Sequence, residues 1–145
     1  MDLKRDLVKY VRDKAKSKYK KDTQCFICGE TEHLDFHHFY GMTELLDTWL
    51  KSKKITITSA DEIMKIRENF IEEFTNEIYN EAATLCKAHH QRLHSIYGKR
   101  PKLVTALKQK RWVEKQREKH NKKQRKRQGK LRAINRLILL QGEMD

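Results

Sequence analysis

The stretch ATLCKAHHQRLHSIYG, residues 83–98, packs three signals together. Its opening residues belong to a short apolar segment, 82–85, that reads as a strand. A helix is expected over 87–97, ended by Gly98 with Pro101 close behind. At the junction, Cys86 and His89 are separated by two residues, a spacing that can grip one metal ion. His90 and His94 lie four apart and therefore share one face of the helix. Strand, metal knuckle and a helix bearing paired imidazoles are thus encoded in succession.

Two upstream stretches answer to this one. Cys25-Phe26-Ile27-Cys28 has the same two-residue spacing, so all three cysteines fall into knuckles. An odd number of cysteines argues against a disulfide framework. With a histidine they make a Cys3His set suited to tetrahedral zinc with no open position, and thiolates favour zinc over magnesium. His89 is the first choice for the fourth ligand and His33 its rival. After the first knuckle comes LDFHHFYG, residues 34–41, a strand expected over 34–40 and ended by Gly41, with His37 and His38 adjacent. A zinc ion joining the knuckles would bring the 87–97 helix against this strand. It would also bring His90 and His94 near His37 and His38.

The chain has 145 residues, one domain's worth, with 37 % apolar and 37 % charged residues. No apolar run approaches the roughly 20 residues needed to span a bilayer, and the N-terminus has no secretory h-region, so the expected location is cytoplasmic. The net charge of +13 is uneven. Residues 1–21 hold nine Lys/Arg against three acids, residues 22–98 seven against thirteen, and residues 99–136 seventeen against two. An acidic body with a basic segment at each end points to a polyanion partner, most simply nucleic acid.

Helical periodicity covers 3–20, with Leu3, Leu7, Val8 and Val11 on one stripe, and a short helix is expected over 43–51. ITIT, residues 55–58, is either a strand or the lead into the next helix. That helix, about 60–80 and capped by Ser59 or Asp61, carries Ile63, Ile66, Phe70, Phe74 and Ile78 on a packing face. From 102 to about 140 the pattern is helical again, yet residues 114–130 contain no apolar aliphatic residue. That middle is an exposed helix, or a segment that orders on a charged partner.

Together, Cys25-x2-Cys28, Leu34-Asp35-Phe36-His37-His38 and Leu85-Cys86-x2-His89-His90-x3-His94 resemble the HNH, or ββα-metal, endonucleases of phages, mobile introns, restriction systems and bacterial toxins. The resemblance covers about residues 23–98. It implies an α+β, helix-rich fold: a ββα-metal core with a structural zinc on Cys25, Cys28, Cys86 and His89, an inserted helix about 60–80, and a long basic C-terminal helix. The corresponding division is a basic N-terminal helix 1–22, a nuclease domain 23–98 and a basic helical extension 99–145. By position, His37, His90 and His94 would hold a catalytic divalent metal, Mg2+ or Mn2+ with Ni2+ or Zn2+ as alternatives, and His38 would be the general base. The family's middle Asn, which braces the loop between the strands, falls on Glu81, with Asn80 one position away. Both are therefore candidates for that catalytic position.

These roles suit phosphodiester hydrolysis. A neutral imidazole, with an ordinary pKa near ~6.5, is a fit base at neutral pH. A divalent ion with open positions stabilises charge on a departing oxygen. The resemblance implies a metal-dependent DNA endonuclease, nicking or cutting duplex DNA in a phage or homing setting, with a homodimer or a phage protein as further partner. Lys108, Lys110, Arg111, Lys115, Arg117, Lys122, Lys123, Arg125, Lys126 and Arg127 would supply counterion-release affinity without reading sequence. The alternatives are a non-catalytic zinc-stapled nucleic-acid binder, which has no use for His38, and a nuclease for branched DNA or structured RNA.

Overall fold

A computed structural model describes residues 3–144, with side chains described for residues 7–142. Leu3, expected on the first helical stripe, lies outside the described side chains. The elements run α1 (Leu3–Lys16), β1 (Leu34–His38), α2 (Met42–Ser52), α3 (Ala60–Glu73), a π-turn (Asn76–Asn80), β2 (Ala82–Cys86), α4 (Lys87–Tyr97), a 3-10 turn (Leu103–Thr105) and α5 (Ala106–Met144). The architecture is helix-rich α+β. Among the described residues no helix is long and apolar enough to cross a membrane.

Two apolar cores organise the chain. In the first, α1 gives Leu7, Val8, Val11 and Ala15; α2 gives Met42, Leu45, Leu46 and Trp49; α3 gives Ile63, Phe70 and Ile71; and the π-turn gives Ile78. These residues recur at three- and four-residue intervals, so each helix turns one stripe inward. The basic N-terminal helix is therefore a packing element, laid against α3, with Arg67 donating to the Tyr10 carbonyl at 3.2 Å. The second core joins Cys25, Ile27, Phe39, Leu85, Cys86 and Leu93 to Ala106 and Val113 of α5. The start of the C-terminal extension is thus built into the body. From residue 121 through 142 every position of α5 is exposed.

β1 and β2 pair antiparallel, Leu34 opposite Cys86 and His38 opposite Ala82. The strand expected over 34–40 stops at His38, although the Phe39 N–H still donates to the Glu81 carbonyl at 3.1 Å. Residues 55–58 form no ladder; Ile55 and Ile57 pack on the first core instead. Ser59 is the N-cap residue of α3 but makes no side-chain cap bond. Glu62 reaches back there to accept from the Thr58 N–H at 2.9 Å. The expected single helix over 60–80 is interrupted after Glu73. The Thr75 hydroxyl donates to the carbonyls of Ile71 and Glu72 at 2.9 and 3.0 Å, competing locally with the helix. The following turn widens, with the Glu81 N–H bonded to the Asn76 carbonyl at 2.9 Å. That register buries Ile78 and carries the Tyr79 hydroxyl to the Ala15 carbonyl at 3.1 Å.

Candidate metal centre

The two metal-ligand groupings arise from adjacent residues sent to different places. Consecutive helix positions point about 100° apart, so His89 at the start of α4 faces the cysteines while His90 faces β1. Consecutive strand positions alternate, so His37 points at α4 while His38 lies against Tyr19 and Phe36, with ring centroids 5.1 and 5.2 Å away.

Cys25, Cys28, Cys86 and His89 form the first group. The Cys28 and Cys86 sulfurs are 3.8 Å apart, and His89 Nδ1 lies 3.3 Å from Cys86 Sγ and 4.0 Å from Cys25 Sγ. Ligands around tetrahedral zinc stand about 3.8 Å apart for sulfur pairs and about 3.6 Å for sulfur and nitrogen, so the donor set fits that ion. Gly29, at φ +76°, turns the knuckle and returns its N–H to the Cys25 carbonyl at 2.9 Å. Burial pushes the Cys25 thiol up, but backbone N–H groups of Cys28, Cys86 and Ile27 outweigh it and bring the thiol below its ordinary value. His33 stands outside the group; it adopts φ +51°, and its carbonyl accepts from the Lys87 N–H at 3.0 Å.

His37, His90 and His94 form the second group, and their proton positions follow from their outer partners. Gln109 Nε2 lies 3.3 Å from the Phe39 carbonyl, which can only accept. The amide oxygen must then be the atom facing His37 Nε2 at 2.9 Å, so that nitrogen carries the proton and Nδ1 is bare. His90 Nδ1 donates to the Asp35 carboxylate at 3.1 Å, leaving Nε2 bare. His94 Nδ1 donates to the Gly98 carbonyl at 2.8 Å, again leaving Nε2 bare. Yet His37 Nδ1 is 3.1 Å from His90 Nε2, which is 3.0 Å from His94 Nε2. With all three rings neutral, three lone pairs converge with no proton between them, an arrangement that a bound cation would satisfy. Nitrogens about 2.1 Å from one ion and at right angles stand about 3.0 Å apart, so this donor set also fits a metal, and with coordination positions to spare. Burial pushes His37 down to about 4, which keeps it in the neutral ligand form.

A cleft of about 440 Å³ opens over this group and wraps the end of β1. His38 lines it, with a buried Nε2 that has no hydrogen-bond partner among the described residues. Burial and then the Arg12 charge push His38 down to about 4, so it is neutral near pH 7.

The sequence model of the Phage T5 nicking endonuclease family, described as the nicking endonuclease family, matches residues 1–139. The chain belongs to that family. No solved structure matches it. Membership of the nicking endonuclease family makes the chain an enzyme acting on phosphodiester bonds, and the cleft carries the charge such a backbone needs. Arg12 and Lys16 from α1, with Lys99 and Arg100 from the loop after α4, line it, and among the described residues Glu44 is the single carboxylate there.

Sequence reasoning missed those four cations: Arg12 and Lys16 matter only once α1 is folded against the site, and Lys99 and Arg100 only once the end of α4 meets the cleft. It also missed Gln109 and Asp35, though both carry a signal. Gln109 is a polar residue on the stripe of Ala106 and Val113, and Asp35 shares the strand face of His37. Neither Asn80 nor Glu81 lines the cleft. Asn80 is exposed and donates to Asn76 Oδ1 at 3.1 Å, and Glu81 pairs with Lys110 at 3.0 Å. Of the ten basic residues expected on DNA, Lys110 is engaged in that pair and Arg117 stacks over Phe26 at 4.2 Å. Lys108, Arg111, Lys115, Lys122, Lys123, Arg125, Lys126 and Arg127 are exposed along α5.

Proposed function

We propose that this chain is a metal-dependent DNA endonuclease of the HNH type, which hydrolyses one strand of duplex DNA in a phage setting. The observation that carries the reading is the convergence of three imidazole nitrogens in a cationic cleft that His38 also lines.

His37, His90 and His94 would hold a divalent ion: Mg2+ or Mn2+ as the resemblance implies, with Ni2+ and Zn2+ the ions that an all-imidazole donor set suits better. When bound, that ion supplies positive charge where the departing 3′ oxygen gains negative charge. Arg12, Lys16, Lys99 and Arg100 hold phosphates of the bound strand, which fixes position without reading bases. His38 would take the proton of the attacking water as the oxygen–phosphorus bond forms, a role that requires its ring to turn the buried Nε2 out to the cleft. The bond from phosphorus to the 3′ oxygen breaks, leaving a 3′ hydroxyl and a 5′ phosphate. Asp35, the Gly98 carbonyl and the Gln109 amide keep the ligand rings oriented. The Cys3His group would hold structural zinc and tie the first knuckle to α4. One histidine centre among the described residues suits nicking, the activity named by the family.

The test is relaxation of supercoiled plasmid by wild type and His38→Ala, matched for bound zinc and for DNA affinity, with EDTA and with Mg2+ or Mn2+ restored. Open circles from wild type with metal, and a loss of at least about 10²-fold in His38→Ala, are expected. Binding without cleavage under every metal, on plasmid and on branched DNA, would reduce the protein to a zinc-stapled nucleic-acid binder.

A further inference from the structure

Gln109 is the largest polar side chain among the fully buried ones described, and it sits in a helix of otherwise charged neighbours. Every polar atom of its amide is used. Nε2 donates to the Phe39 carbonyl at 3.3 Å and to Thr105 Oγ1 at 3.0 Å. Oε1 accepts from His37 Nε2 at 2.9 Å. The residues on either side complete a clamp. The Tyr97 hydroxyl at the end of α4 donates to the Lys108 carbonyl at 3.1 Å, and Lys110 Nζ donates to Glu81 just before β2 at 3.0 Å. Three consecutive residues of α5 therefore hold α4, β1 and the entry to β2.

From this geometry we propose that Gln109 is a positioning residue for the metal centre: it fixes the His37 tautomer with Nδ1 bare toward His90 and His94, and makes the C-terminal helix a required part of the catalytic unit. The inference rests on the proposed metal-dependent reaction and extends it. Without the Gln109 acceptor, the His37 tautomer with its proton toward the ion would compete with the binding form. The Gln109 amide cannot flip to allow this, because its NH2 group faces the Phe39 carbonyl, which has no proton to give. Phe39 directly follows His38, so the same amide also holds the strand end that carries the expected base.

The test compares wild type, Gln109→Met, Gln109→Glu and His37→Ala as full-length proteins. Mn2+ affinity is read from the free-ion electron paramagnetic resonance signal, and the His37 tautomer from its ring 15N shifts in the diamagnetic protein. Zinc content and thermal unfolding report on the fold. Methionine keeps volume but is only a weak hydrogen-bond acceptor, so Mn2+ affinity is expected to fall about 10- to 100-fold, with a mixed tautomer and unchanged zinc. Nicking at limiting Mn2+ falls with it and recovers at saturating Mn2+. Glutamate, buried in its protonated form, keeps an acceptor for His37 and a donor for the Phe39 carbonyl, and is expected to bind Mn2+ within about threefold of wild type. Wild-type Mn2+ affinity in Gln109→Met, or equal losses in the methionine and glutamate variants, overturns the assignment and leaves Gln109 a packing residue. Should Gln109→Met fail to fold, Gln109→Glu alone decides: a single Nε2-protonated tautomer with retained Mn2+ supports the role, and their loss refutes it. Undiminished Mn2+ binding by His37→Ala would instead overturn the metal-centre reading itself.

Discussion

Replacing Gly98 with alanine isolates the outer hydrogen bond of His94. Gly98 sits at φ 91°, ψ 169°, a region essentially restricted to glycine. Among the described residues nothing lies within 4 Å of where its Cβ would stand, so the substitution acts through backbone strain of about 1–3 kcal/mol. Two responses are open to the protein. If it keeps the turn, the strain lowers unfolding stability, and each kcal/mol lowers Tm by about 2–4 °C for chains near this size. If it relaxes the turn, the Gly98 carbonyl, now 2.8 Å from His94 Nδ1, swings away. His94 then loses the acceptor that keeps its bare Nε2 on the ion. Since Lys99 and Arg100 are exposed, rotation is cheap, and most of the effect is expected in metal affinity. The reduction in stability without Mn2+ and the reduction in Mn2+ binding free energy should total about 1–3 kcal/mol, because both draw on one strain. Calorimetric unfolding without Mn2+, paired with a Mn2+ titration, measures the two parts. A variant unchanged within about 0.3 kcal/mol in both would refute the claim that this turn aims His94.

Two further outcomes follow from the other groups. Cys28→Ser should abolish stoichiometric zinc by metal analysis and lower Tm sharply, because Cys25 and Cys86 are buried within the second core and lose their common ion; a wild type that carries no zinc and melts like the variant would contradict this. Changing Lys122, Lys123, Arg125, Lys126 and Arg127 together to alanine leaves the fold intact, since all five are exposed. The slope of log affinity for duplex DNA against log salt should become shallower by up to about 4.5, and an unaltered slope would place the distal part of α5 off the DNA.

Local signals read well from the sequence. Helix α4 runs over the expected 87–97 because Gly98 supplies a backbone conformation no side chain favours. The cysteine spacing foretold which sulfurs gather, and the four-residue spacing of His90 and His94 foretold their shared face. What the sequence hid depends on long-range contact. The role of α1 required knowing that its lysine-bearing helix packs on α3. The interruption near Thr75 is a contest between a hydroxyl and the helix, decided by burial of Ile78. Gln109 contacts His37 across seventy-two residues, and its short-range neighbours, Lys108 and Lys110, advertise only solvent.

The division of labour along β1 is a matter of parity. Odd positions Asp35 and His37 meet α4; even positions Phe36 and His38 meet Tyr19. Shifting the strand by one residue against β2 would hand His38 to α4 and His37 to Tyr19, with every side chain still present. Two strands of five residues are too small a sheet to hold their own register. It is pinned from outside, by the cysteine group where Leu34 faces Cys86 and by Gln109 beyond His38. Losing either pin would scramble which neighbour does which job while leaving the inventory of the strand untouched.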